Sequence, residues 1–285
     1  MSINNNSALI NSLNGYISQK HYRLVNSVLL YKDGELVLEQ YYNKFTKESR
    51  NNLKSVWKSI IAICAGICLD KGFIKSFDEP VSNYINLFDG NRHPYHQMLK
   101  IKHLLTMTSG IYWNGGIHYH CPMVTQCLRS GNAAEYISDI YMQDLPGSTL
   151  VYKEWDVMLV SLLLQKASGM NVYDFCNEYL YKPLGIQSGR WFTAPDGLCY
   201  TIPGNNYAGI DGGTEEAKSD LTARDMAAIG ILMLNRGYYN GKRIITEELA
   251  EQITTPASKI LGYETAKGTK WMQEYGMFWW VFNLL

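Results

Sequence analysis

The stretch from Ser55 to Leu69 restricts the possible folds of this chain more than any other. Apolar residues recur at Val56, Ile60, Ile63 and Ile67, and small ones stand at Ala62, Ala65 and Gly66. That spacing is helical, with almost no polar face. A helix apolar nearly all round is stable only inside a core, with other elements packed on every side. Its uninterrupted apolar part, Ile60 to Leu69, is far shorter than the roughly 20 residues that cross a bilayer, so no membrane association is expected. Gly72 marks the C-terminal stop, and 285 residues are enough to enclose such a helix in a sizeable core.

Other elements surround this helix. Residues 8 to 20 read as a helix. Ser27 to Tyr31 and Leu36 to Tyr42 flank Lys32-Asp33-Gly34-Glu35, a β-hairpin signature in which Asp-Gly supplies the positive φ values of a tight turn. From about Phe77 to Gly189 helical segments dominate: Lys102 to Thr108, Ala133 to Tyr141, Trp155 to Ser168 and Val172 to Leu180. Thr222 to Asp225 forms a capping box before Met226 to Leu234, and Thr246 to Glu248 caps another helix after a short strand at Arg243 to Ile245. Tyr275 to Leu285 reads as one aromatic strand, the first of several C-terminal strands whose successors lie beyond the sequence.

Composition narrows the function classes. Lys and Arg total 26 against 26 Asp and Glu, so there is no basic surplus to hold nucleic acid. Met1 to Ile10 has neither a basic n-region nor an apolar h-region, which makes a cytoplasmic location the expectation. The six cysteines contain no C-x-x-C pair and read as reduced core residues, Cys64 and Cys68 included. His118-Tyr119-His120-Cys121 has metal-ligand residue types without the usual zinc spacing, and reads as an aromatic loop over a pocket. Walker A, Gly-x-Gly-x-x-Gly, His-Glu-x-x-His and Gly-x-Ser-x-Gly patterns do not occur.

The chemistry-bearing pair is Ser55 and Lys58. A Ser-x-x-Lys at a helix start puts both side chains on one face. A serine hydroxyl needs a proton acceptor to attack at neutral pH, and a lysine in apolar surroundings can serve as one. The helix N-terminus adds free amides and a positive field where an oxyanion would form.

Several segments, in order, resemble the β-lactamase-related serine hydrolases: class C β-lactamases, D-alanyl-D-alanine carboxypeptidases, related esterases and 6-aminohexanoate-dimer hydrolases. They are Ser55-Val56-Trp57-Lys58-Ser59, Asp70 to Ile74, Asp78-Glu79-Pro80-Val81, Ile101 to Gly110, Pro146-Gly147 through Val151-Tyr152, Leu221 to Met226, and Asn240-Gly241-Lys242. The resemblance implies an α/β (α+β) fold of the β-lactamase/transpeptidase kind. In it an antiparallel sheet, built from the hairpin and the C-terminal strands, is flanked by helices and joined to a helical subdomain. It also implies a single domain over 1–285, with sheet-forming parts at about 20–75 and 210–285 and a helical part at about 76–209.

By the same resemblance Ser55 is the acylated nucleophile, Lys58 its base or proton shuttle, and Tyr152 the relay to the leaving group. The implied activity is hydrolysis of a small ester or amide with no metal or organic cofactor. Tyr112, Trp113 and Tyr119 are expected at the pocket mouth. The sequence departs from the family twice. Where the family has a substrate-orienting Asn two residues after the Tyr, Glu154 stands here, and a carboxylate there would repel anionic substrates. The family's third motif, Lys-Thr-Gly or His-x-Gly, is not found, and Lys267-Gly268-Thr269 has the wrong order. The alternative expectation is therefore a truncated, catalytically impaired homologue that only binds ligand or folds poorly. Oligomeric state is not legible.

Overall fold

The computed structural model describes residues 7–20, 22–114, 122–201, 220–264 and 270–282. Helix α1 (Ser7–Ile17) precedes the hairpin of β1 (Ser27–Lys32) and β2 (Glu35–Tyr41), whose turn residues Asp33 and Gly34 take the anticipated positive φ of 52° and 81°. Strand β3 (Arg50–Asn52) then leads into α2 (Val56–Asp70), the apolar run of the sequence. Eleven of its residues, from Trp57 to Cys68, are buried, and Gly72 just beyond it adopts a φ of 77°.

After three short 3₁₀ turns come α3 (Ile101–Leu105), α4 (Pro122–Ser130), α5 (Ala133–Ser138), α6 (Glu154–Ser168) and α7 (Val172–Cys176). The last continues through a π turn into α8 (Lys182–Leu184). A two-residue hairpin that no sequence pattern announced, β4 (Phe192–Thr193) with β5 (Cys199–Tyr200), follows. Next are β6 (Asp220–Thr222), α9 (Ala223–Leu234), β7 (Tyr238–Tyr239), β8 (Lys242–Arg243) and α10 (Glu247–Thr254). The capping box of α9 forms as read: the Thr222 and Asp225 side chains each accept the other's backbone N–H, at 3.1 and 3.0 Å respectively. The chain ends in β9 (Ser258–Glu264), β10 (Lys270–Tyr275) and β11 (Trp280–Phe282).

These elements give the mixed helix and antiparallel-sheet architecture that the resemblance implies, with one correction. Strand pairing among the described residues divides into small sheets, β1–β2, β3–β6, β4–β5, β7–β8 and β11–β10–β9, so the hairpin does not pair with the C-terminal strands. It is held instead by α9, whose Arg224 donates two bonds to Glu39 on β2 at 2.6 and 2.7 Å.

A second correction concerns the aromatic stretch. Tyr275 ends β10, Gly276 to Trp279 turn, and Trp280 begins β11 opposite Tyr275, so the stretch is the bend of a three-stranded sheet and not its first strand. The turn exists because Met277 and Phe278 are buried and their amides are taken by Ile253 O and Leu105 O, each at 2.9 Å. Apolar content alone could not distinguish a buried turn from a strand.

Five cysteines, Cys64, Cys68, Cys127, Cys176 and Cys199, are free and buried, as anticipated; Cys121 lies outside the described residues. No described helix is long and apolar enough to cross a membrane. One buried group is expected to make the fold acid-sensitive. His96 is inaccessible, with its ring against Phe88 at 4.7 Å, and neither ring nitrogen has a hydrogen-bond partner among the described residues. Burial, assisted by neighbouring His93, holds its pKa down to about 4 from an ordinary 6.5. A base depressed in this way folds neutral. The stability it lends is complete above about 6.5 and is lost as pH falls from there through about 4. Chemical denaturation at a series of pH values is expected to show stability falling across this window, and His96→Leu to flatten the fall; an equally steep fall in the variant contradicts it.

Candidate active site

Ser55 is presented by local strain. Strand β3 runs into a tight turn in which Lys54 takes a left-handed φ of 44°, unusual for a residue with a side chain, and its amide is caught by Asn52 Oδ1 at 2.9 Å. Val56 N then bonds Leu53 O at 2.9 Å, and α2 begins with Ser55 exposed at its N-terminus. One turn in, Lys58 is almost entirely buried, with 2% of its surface exposed. Its Nζ lies 3.4 Å from Ser55 Oγ, so an open hydroxyl sits over a sequestered amine.

Two longer-range features hold Lys58. Glu154, the first residue of α6, accepts a hydrogen bond from Lys58 Nζ at 2.8 Å through Oε1 and one from Tyr200 OH at 2.6 Å through Oε2. Glu154 is thus turned inward and buried, with both oxygens occupied. Tyr152 offers its ring to the same cation, 5.1 Å from Nζ to the ring centroid, within cation–π range. Residues 152 and 154 reach the same amine because Lys153 between them is extended, at φ −151° and ψ 165°, which sends successive side chains to opposite sides and so brings 152 and 154 to the same one.

Lys153 takes the other side. Its buried ammonium donates to Ser109 Oγ and Ile111 O, both at 3.0 Å, and Ser109 donates to Asp156 Oδ1 at 2.6 Å. Burial pushes the Asp156 carboxyl up to about 6, against the pull of Lys153 and Ser109. This network gives the Ile101–Gly110 motif a structural task. Val151 N bonds Met107 O at 2.9 Å and Gly147 N bonds Thr108 O at 2.7 Å, which docks the segment carrying Tyr152. Gly110, at φ 79°, has no room for a side chain: a Cβ would lie 2.1 Å from Asp144 O. Sequence reasoning missed Lys153, whose only signal was its position inside Tyr-x-Glu.

The far wall is the C-terminal bend. Tyr152 packs against Tyr275 at 6.3 Å and Trp280 at 5.5 Å, and Ser59 Oγ, one residue past Lys58, donates to Phe278 O at 2.8 Å. Trp280 and Val56 remain well exposed, giving the rim near Ser55 and Tyr152 an apolar character. Of the aromatic loop, Tyr112 stacks on Tyr141 at 4.6 Å and its carbonyl accepts from Trp155 Nε1 at 3.1 Å, while Trp113 packs edge-on against Trp155. Both therefore lie beside the N-terminus of α6, next to Glu154. Tyr119, the rest of the His118–Cys121 segment and Lys267-Gly268-Thr269 fall outside the described residues. Among the described residues no group of three or more His, Cys, Asp or Glu side chains is placed to hold a metal ion.

The family model described as Beta-lactamase matches residues 14–283. The chain belongs to that family. It is a family of serine hydrolases. A 6-aminohexanoate-dimer hydrolase of Paenarthrobacter ureafaciens is 21% identical over 82% of this chain and 58% of its own length. Among solved structures, the octameric penicillin-binding protein homologue of Pyrococcus abyssi superposes with a TM-score of 0.69 at 20% identity, over 95% of this chain and 64% of that one. EstCE1, described as a hydrolase with promiscuous acyltransferase activity, gives 0.66 at 19% identity, over 96% and 83%. The chain spans 58–64% of the length of the curated relatives it matches.

The bend behind Tyr152 is expected to be sensitive to a single methyl group. A Cβ on Gly276 would stand 2.6 Å from Ile253 O and 2.9 Å from Thr255 O, both backbone atoms. Gly276→Ala is expected to lower unfolding stability by about 1–3 kcal/mol, the usual range for overpacking. A melting temperature unchanged from wild type would show that the bend is not held as described.

Proposed function

We propose that this chain is a serine hydrolase in which a small ester or amide acylates Ser55 and water then releases the acyl group. The observation that carries this reading is the exposed Ser55 hydroxyl 3.4 Å from the buried Lys58 amine, at the N-terminus of a 15-residue helix. Ser55 Oγ adds to the substrate carbonyl as its proton passes toward Lys58. The oxyanion develops beside the helix N-terminus, where free amides and the helix field favour negative charge. Collapse expels an alcohol or amine, which takes a proton relayed through Lys58 and Tyr152. Water then adds to the acyl carbon, its proton returns along the same route, and the acid leaves Ser55 free.

The substrate class rests on the relatives, one named a 6-aminohexanoate-dimer hydrolase and one a hydrolase with promiscuous acyltransferase activity, and on the apolar rim at Val56 and Trp280. Tyr112 and Trp113 are proposed as further lining of the substrate side. A fluorophosphonate probe is expected to label the wild-type chain. Ser55→Ala is expected to abolish labelling, and Lys58→Ala to slow it by about a thousandfold or more, as when nucleophile and base act as a unit. Undiminished labelling of folded Ser55→Ala rejects Ser55 as nucleophile. A folded wild-type chain that never labels favours a ligand-binding or inactive homologue.

A further inference from the structure

We infer that Glu154 is the proton store of the active site, acting through Lys58 to let a charged lysine serve as the base for Ser55; this rests on the acylation of Ser55 proposed above. A lysine in its ammonium form has no lone pair with which to take the serine proton. Glu154 removes that obstacle. The contacts form one line: Ser55 Oγ 3.4 Å from Lys58 Nζ, Nζ 2.8 Å from Glu154 Oε1, and Glu154 Oε2 2.6 Å from Tyr200 OH.

As Ser55 attacks, its proton moves to Nζ while a proton already on Nζ moves to Oε1. Lys58 stays an ammonium, Glu154 becomes a neutral acid, and the developing oxyanion carries the charge. When the leaving group departs, the same protons run back and protonate it, so the chain is restored and no external acid or base is consumed. Deacylation repeats the cycle with water in place of the serine hydroxyl.

The surroundings fit a store better than a substrate contact. Glu154 is 7% exposed, its two oxygens are filled by Lys58 and Tyr200, and Tyr200 is itself fixed edge-on against buried Trp57 at 5.5 Å. Among the described residues Glu154 is bonded by Lys58 from α2 and Tyr200 from β5, the Tyr152 phenol ring lies over the same Lys58 amine, and Lys153, next in the chain, points away to Ser109. Tyr200, which sequence reasoning did not single out, is a positioning residue: its hydroxyl keeps Oε1 aimed at Nζ. Because Lys58 and Tyr200 already occupy both carboxylate oxygens, its loss should act on turnover rather than on binding.

The test is the pH dependence of p-nitrophenyl acetate hydrolysis by the full chain, measured as kcat and KM from pH 5 to 9 for wild type, Glu154→Gln, Glu154→Asp and Tyr200→Phe. In Glu154→Gln the amine must lose its proton to solvent before it can act. The acid limb of kcat is then expected to move at least about two pH units toward alkali, with a loss of roughly a hundredfold at pH 6 and KM nearly unchanged. Glu154→Asp is expected to restore the limb in part. Should Glu154→Gln fail to fold, Tyr200→Phe decides, with an expected displacement of about half a unit in the same direction. A uniform fall in kcat at every pH, with the limb in place, would mean a merely structural carboxylate and overturns the inference. A wild-type chain without Ser55 acylation removes the inference together with the proposed function, whereas wild-type acylation with unmoved limbs removes the inference alone.

Discussion

The structure turns on a lysine ammonium placed inside a hydrophobic core. Stripping water from Lys58 costs several kcal/mol, and that cost is offset only because Glu154 meets it at 2.8 Å from another helix and Tyr152 covers it with an aromatic face. The pair joins the first turn of α2 to the first turn of α6, so the apolar helix α2 and the helical region are held at the one point where both begin. Removing either partner leaves a buried, uncompensated charge, which typically costs about 3–5 kcal/mol. Ser55 inherits its position from this arrangement. It rides one turn above a buried, paired side chain, at the end of a helix whose residues from Ile60 to Cys68 are all sealed in the core.

A second buried lysine makes the first possible. Tyr152 and Glu154 face Lys58 only while the backbone between them stays extended, and Lys153 fixes that conformation by anchoring to Ser109 and Ile111. The Ser109–Asp156 bond, the reversed φ of Met107 at 58° and the glycine at 110 bring the Ile101–Gly110 motif close enough to grip the Gly147–Tyr152 segment. The same motif holds the C-terminal bend, because Leu105 O accepts the amide of Phe278. One short stretch therefore positions both Tyr152 and the aromatic wall behind it.

Much of this was legible in the sequence, for physical reasons that differ from element to element. The periodicity of Ser55 to Leu69 could only be a buried helix, and Asp33-Gly34 could only be a tight turn. Thr222 to Asp225 declared a helix start through bonds made within four residues. What escaped notice depended on distant partners. Glu154 as a lone letter is equally a surface carboxylate or a buried one, and only Lys58, 96 positions away, decides. Tyr200 sits in a strand of two residues, too short for any pattern, and matters because Trp57 and Glu154 hold it. The aromatic ending was read as one strand because a buried turn and a buried strand are both apolar, although Gly276 was a signal that the chain bends there.

The central claim is that Ser55 is acylated beside an intact Lys58–Glu154 pair, and the most direct measurement is a crystal structure of the chain after reaction with a phosphonate ester. Continuous density is expected from Ser55 Oγ to phosphorus, with Lys58 Nζ still within hydrogen-bond distance of Glu154 and Tyr200 still donating to it. An adduct on another residue, or Lys58 swung to solvent with Glu154 left unpaired, would contradict it.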